Sequence, residues 1–266
     1  MAAHVNLSTR DANVLEKIKD PEANPAAALV TDSSLPRDPH VTDSLVYEDL
    51  VRRERAVILV IQDIERQLSD AQTEDADDVA IEAYNRCLSD LDSLVAEHPD
   101  YASARNNRAQ LLRRLYGDAM LLHITTGMPM PLIPQPPPSD RRRAARTVLH
   151  DIERSIALLS PATPTTPLSP QAARTLSMVH TQRAAIYLKT SKLLPDRRLD
   201  LDESLAEARW SRHNFEEAAS RDLANGGRYG NQLAKSLAVS VNPTAKLCGQ
   251  IVREALKKEY GPSFEV

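Results

Sequence analysis

Glycine is scarce in this 266-residue chain: there are 7, and the first is Gly117. A β-rich fold needs glycine at hairpin turns and bulges, and a glycine-rich phosphate loop needs several close together. The first 116 residues can hold neither. Aromatic residues make up 4% of the chain, so any core is built mainly from Ala, Leu, Val and Ile. Two cysteines, Cys87 and Cys248, lie far apart and in no paired motif, which fits a reduced compartment. The formal net charge is −4, so no global field favours nucleic acid or a membrane surface. The longest apolar run, Ala56 to Ile61, is too short to span a bilayer. The first thirty residues lack an apolar run of signal-peptide length. These absences place the chain in the cytoplasm, with the nucleus open as well.

Proline is plentiful and clustered. Of 18 residues, six lie between Pro129 and Pro138, four between Pro161 and Pro170, and four between Pro21 and Pro39. Long glycine-free helices with proline-rich joints follow from this pattern. Residues 1–43 read as a loosely structured segment with one short helix carrying Val14, Leu15 and Ile18. Apolar spacing of three and four then predicts helices over 44–70, 77–97, 101–117, 140–159, 171–193, 200–224, 229–239 and 243–260. Asn225-Gly226-Gly227 reads as a helix stop, and Asn242-Pro243 as a helix start. No segment alternates with period two. The fold class is all-α.

Two helices resemble each other. Tyr101 to Leu112 reads YASARNNRAQLL and Met178 to Leu188 reads MVHTQRAAIYL. Aligning Arg108-Ala109 with Arg183-Ala184 puts a small residue between larger ones on one face, as in helix A of a tetratricopeptide (TPR) repeat. The two stand about 75 residues apart against 34 for one TPR unit, and the insertions at 125–140 and 160–170 absorb the excess. Helix B candidates with small-large-small spacing are Cys87-Leu91-Leu94, Val148-Ile152-Ser155 and Ser211-Phe215-Ala218. The reading is a right-handed TPR α-solenoid over 44–260, with repeats near 44–99, 100–160 and 170–225. Capping helices over 228–260 are expected to bury Leu233, Leu237, Val239, Leu247, Ile251 and Leu256. Gly249, inside the last helix, suggests close packing.

The stretches Ala102 to Gln110, Asp151 to Ile156, Phe215 to Ala219 and Asn242 to Cys248, with Val14 to Ile18 before Asp20-Pro21, resemble the tetratricopeptide repeat protein 36 family of small three-repeat proteins. The resemblance covers most of the chain in order. It implies an Hsp70-type chaperone partner and a link to tyrosine catabolism through a pathway enzyme.

The residues carry little catalytic chemistry. The seven histidines have no metal-ligand spacing, and GxSxG, Walker and dinucleotide motifs are missing. A non-catalytic interaction scaffold or co-chaperone-like adaptor without metal or cofactor is therefore expected. A hydrolase using His150 or His180 is the weakest class. The candidate groove for a protein or peptide partner comprises Arg105, Asn106, Asn107, Gln110, Gln182 and Arg183. Amides there can hold a peptide backbone, and guanidinium groups a carboxylate. A two-carboxylate clamp is incomplete, since Met178 and Gln182 are not basic and Val57 stands where an Asn belongs. The alternative class is an RNA- or organelle-associated repeat protein using Arg141, Arg142, Arg143 and Arg146, although no nucleic-acid or membrane partner is expected. Ser160, Thr163, Thr166 and Ser169, each before a proline, are candidate phosphorylation sites. Oligomeric state is left open.

Overall fold

Helix boundaries in this chain are set by side-chain caps and prolines. The computed structural model describes residues 29–70, 76–123, 130–163 and 165–260, so the short helix expected around Val14 lies outside the described residues. Among them are eight α-helices: α1 (Ser44–Asp70), α2 (Ala76–Glu97), α3 (Ala102–Tyr116), α4 (Pro138–Leu159), α5 (Pro170–Leu193), α6 (Arg212–Arg228), α7 (Gln232–Val241) and α8 (Pro243–Tyr260). A 3-10 turn, Ala206–Arg209, precedes α6. Ser169 caps α5 by accepting from the Ala172 N–H, with Pro170 in its first turn. Ser211 and Asn214 form a reciprocal capping box at α6. Asn231 caps α7, and Asn242 accepts from the Thr244 and Ala245 N–H groups at the start of α8.

Each helix packs on the next along the chain, α3 also touches α5, and α8 also touches α6. One apolar cluster joins α1, α2 and α3 through residues such as Leu50, Tyr84, Leu91 and Leu115. A larger one joins α3 to α6 through Ala109, Val148, Ile152, Leu176, Ile186 and Phe215. A third seats α7 on α5 and α6 through Ala184, Leu223, Ala234 and Ala238. Small residues at these contacts let helix axes approach closely. Two isolated bridges, Thr31 to Leu168 and Leu122 to Leu199, are the β-type pairings of the described residues.

Residues 29–43 cross the ends of three helices. Leu168 N–H donates to Val30 O and Asp32 N–H to Leu168 O. Ser169 Oγ donates to Arg37 O at 2.9 Å, and His40 Nε2 lies 2.9 Å from Leu158 O. Asp38 accepts the His40 N–H at 2.8 Å, and Tyr101, the N-cap residue of α3, makes no side-chain cap. Burial pushes the Asp38 carboxyl above its ordinary range.

Several boundaries differ from the sequence reading. The helix expected over 200–224 begins only at Arg212, because the preceding acids are held elsewhere: Asp200 by Arg141 and Arg142, and Asp202 by Arg146. Asn225-Gly226-Gly227 does not stop α6. The helix runs to Arg228, and both glycines are buried where α7 crosses. A Cβ on Gly227 would lie 2.7 Å from the Lys235 Cα, so the contact excludes any side chain. The turn itself falls at Gly230, with φ +113°. The cap core is Ala234, Ala238 and Val241 rather than the large residues expected there. Leu233, Leu237, Val239, Leu247 and Ile251 are exposed, and Leu256 is half-buried. Gly249 meets nothing within 4 Å, so close packing does not explain it. Among the described residues no helix is long and apolar enough to cross a membrane.

Candidate partner-binding surface

The polar stripe of α3 faces three neighbours, and most of it is consumed by them. Arg108 grips Asp151 of α4 with two nitrogens, Nε at 2.7 Å and Nη2 at 2.8 Å, and reaches Asp92 of α2 with Nη1. Arg105 adds a bond to Asp151 at 2.8 Å and another to Pro99 O at 2.7 Å. Asp151 is fully buried. The same device recurs between α5 and α6. Arg183 grips Asp222 through Nε at 2.7 Å and Nη2 at 2.8 Å, and His180 Nδ1 lies 2.8 Å from the same carboxylate. Burial would raise the Asp222 carboxyl, but the His180 and Arg183 hydrogen bonds hold it below the ordinary carboxylate range.

This correspondence aligns α6 with α4 in a register different from the one that the sequence spacing suggests. Ser155 Oγ donates to Ala102 O, and Ser177 Oγ donates to Gly226 O. With Asp151 matching Asp222, Val148-Ile152-Ser155 corresponds to Ala219-Leu223-Gly226. Ser211-Phe215-Ala218 has the same spacing two turns too early.

Between α3 and α5, Gln182 Nε2 donates to Asn106 Oδ1 at 2.8 Å and Arg113 Nη1 donates to Gln182 Oε1. Between α1 and α3, Glu54 accepts from Tyr101 Oη at 2.7 Å and from Asn107 Nδ2 at 2.7 Å. Burial holds the Glu54 carboxyl above its ordinary range, against hydrogen bonds from Ser103, Tyr101 and Asn107. Farther along, Glu65 ties Arg114 at 2.7 Å and the Tyr84 hydroxyl.

The six groove candidates therefore separate. Arg105, Asn106 and Gln182 are buried with their polar atoms bonded inside the protein, which removes them from a partner-facing surface. Asn107 and Arg183 are half-buried, and Gln110 is exposed. Asp151 and Asp222 were not among the candidates. Their one local trace is a basic residue three before an arginine in α3 and in α5, Arg105 before Arg108 and His180 before Arg183.

The basic cluster is also neutralised. Arg141 is buried against Asp200 and His123 O, Arg142 bonds Asp200, Arg143 bonds Asp140 and Arg146 bonds Asp202. Of the serine and threonine candidates, Ser160 and Thr163 are exposed and Thr166 is half-buried. Ser169 is buried as the α5 cap, out of reach of a modifying enzyme.

Besides a hollow of about 320 Å³ against Arg183 and Asp222, two lie along α1. One, of about 480 Å³, opens where residues 33–37, α1 and the starts of α3 and α5 meet, and Leu35, Tyr47, Glu54, Tyr101 and Gln171 line it. The other, of about 420 Å³, follows α1 past Val51, Arg55, Ala56 and Leu59. Arg37 and Tyr47 border both, with the guanidinium carbon 5.9 Å from the ring centroid. Arg37 and Arg55 bond no carboxylate among the described residues, unlike most arginines here. This surface can take an apolar segment with a carboxylate on it.

Packed helices, with carboxylates sealed between them and an arginine-edged hollow at one side, define an all-α protein. The described residues hold no cluster of three His, Cys, Asp or Glu placed to bind a metal ion. Within that class, the chain belongs to the family of the L-tyrosine degradation gene cluster protein hmgX of Aspergillus fumigatus. The two are 35% identical over 271 aligned positions, which cover 96% of this chain and 93% of that protein. No protein-family model matches the chain, and no solved structure does.

Proposed function

We propose that this protein is a non-catalytic adaptor of L-tyrosine degradation, built as a TPR-type stack of three helix pairs with a capping pair. The near full-length likeness to a protein named for an L-tyrosine degradation gene cluster carries the reading. The link that the tetratricopeptide repeat protein 36 resemblance implies points the same way. The paired polar devices at Arg108–Asp151 and Arg183–Asp222 support a repeated architecture. In this proposal a pathway enzyme or an Hsp70-type chaperone contacts the solvent-reachable remainder of this face, exposed Gln110 with half-buried Asn107 and Arg183, and the arginine-edged hollow along α1. The nucleic-acid alternative loses its main support, because Arg141, Arg142, Arg143 and Arg146 are matched by acids of the same chain. Deleting the gene and growing the strain on L-tyrosine as sole carbon source tests the role. The proposal expects slowed growth, restored by the intact gene and poorly by an Arg37→Glu/Arg55→Glu gene. Normal growth of the deletion strain contradicts it.

A further inference from the structure

We infer that α8 is a docking helix for an anionic lipid surface. At the helical step of about 100° per residue, Leu247, Cys248, Ile251, Val252 and Ala255 fall on one arc of about 140°. In a packed protein that arc is covered. Here Leu247 is 57%, Ile251 56% and Val252 57% exposed, and Cys248 and Ala255 are exposed beside them. Every residue from 246 to 255 is exposed, so over these ten residues both faces of the helix are in solvent. Leu233 and Leu237 of α7 are exposed as well.

Charge selects the occupant. Residues 232–260 carry Lys235, Lys246, Arg253, Lys257 and Lys258 against Glu254 and Glu259, in a chain whose formal net charge is −4. A second copy brings the same excess of positive charge to a symmetric contact, which opposes self-association through this face. An anionic occupant is favoured. A partner protein holds a helix by enclosing it in a groove, whereas a bilayer interface takes a lone amphipathic helix lying flat, its apolar side among the acyl chains and its basic side toward the headgroups. A helix exposed all round over ten residues suits the second geometry. The lack of a long apolar run excludes a spanning helix but not this one, since an interfacial helix needs a stripe and not a run.

Flotation of the full chain with vesicles tests the inference, using pure phosphatidylcholine and phosphatidylcholine with roughly one-third phosphatidylserine. Binding at least about tenfold tighter to the anionic vesicles is expected. Ile251→Glu/Val252→Glu should abolish it with the melting curve unchanged, because both side chains are exposed. Lys246→Gln/Arg253→Gln, both opposite the apolar arc, should weaken binding about tenfold on anionic vesicles only. Failure of the intact chain to float with anionic vesicles overturns the inference, and so does binding that survives Ile251→Glu/Val252→Glu. A dimer in light scattering that Ile251→Glu/Val252→Glu converts to monomer, without vesicle binding, overturns it in favour of a second copy.

Discussion

Arg108 and Asp151 form a two-pronged bond across the α3–α4 interface, and Arg183 and Asp222 repeat it across α5–α6 with the same atoms at the same 2.7 and 2.8 Å. Planar guanidinium and carboxylate groups meet in this geometry, and each pair fixes both spacing and rotation between its helices. The carboxylates are buried, so losing either leaves buried partners, Arg105 beside Asp151 and His180 beside Asp222, without their shared acceptor.

Asp151→Ala and Asp222→Ala should each destabilise the fold by about 3–5 kcal/mol, the cost of breaking a buried pair from one side. Asn214→Ala, at the position that sequence spacing aligns with Asp151, removes only a helix cap and should cost about 1 kcal/mol. Urea titrations of the three variants check the register. Equal losses at Asn214 and Asp222 would contradict it.

Gly227 and Gly249 should respond in opposite directions to alanine. A Cβ on Gly227 meets the Lys235 backbone at 2.7–2.8 Å, so Gly227→Ala must push α7 off α6, at a cost of about 2 kcal/mol. Gly249→Ala adds a methyl group to an open helical position and should stabilise α8 by roughly 0.5–1 kcal/mol. Thermal melts compare them, and hydrogen exchange across 232–260 reports whether α7 has lifted.

Glu54 should make stability depend on pH. Its folded carboxyl titrates above its unfolded value because it is buried. The folded state therefore holds the proton more tightly, and stability falls as pH rises from the unfolded value, about 4.3, through the raised folded value. Glu54→Gln removes this dependence. The stability of the variant relative to the parent protein should increase as pH rises past about 4.3 and level off once pH exceeds the raised folded value. A difference that is constant across that range would contradict the assignment.

Local signals in the sequence place most helices. Asn242-Pro243 starts α8 where its capping chemistry requires, and the spacing of Leu50, Val57 and Ile64 carries α1. Long-range pairing is what the sequence hides. Asp200 and Asp202 before Leu205 look like the first turn of a helix, but Arg141, Arg142 and Arg146 claim them from α4. Ser211-Phe215-Ala218 and Ala219-Leu223-Gly226 have identical spacing, and only the ion pair from α5 distinguishes them. Asn106 and Gln182 read as surface amides because no local pattern reveals that α3 and α5 press their polar stripes together. The exposed arc of α8 is equally silent, since an apolar stripe in sequence does not say whether a neighbour covers it.

The central claim is that this protein works by holding another protein of L-tyrosine degradation. Affinity capture of the tagged chain from cells growing on L-tyrosine, read by quantitative mass spectrometry, tests it most directly. An L-tyrosine-degrading enzyme or an Hsp70-type chaperone should be enriched at least about tenfold over an untagged control. Arg37→Glu/Arg55→Glu should remove most of that enrichment while the chain keeps its melting temperature. Capture of neither, together with turnover of an L-tyrosine degradation intermediate by the purified chain, would contradict the claim and make the protein an enzyme.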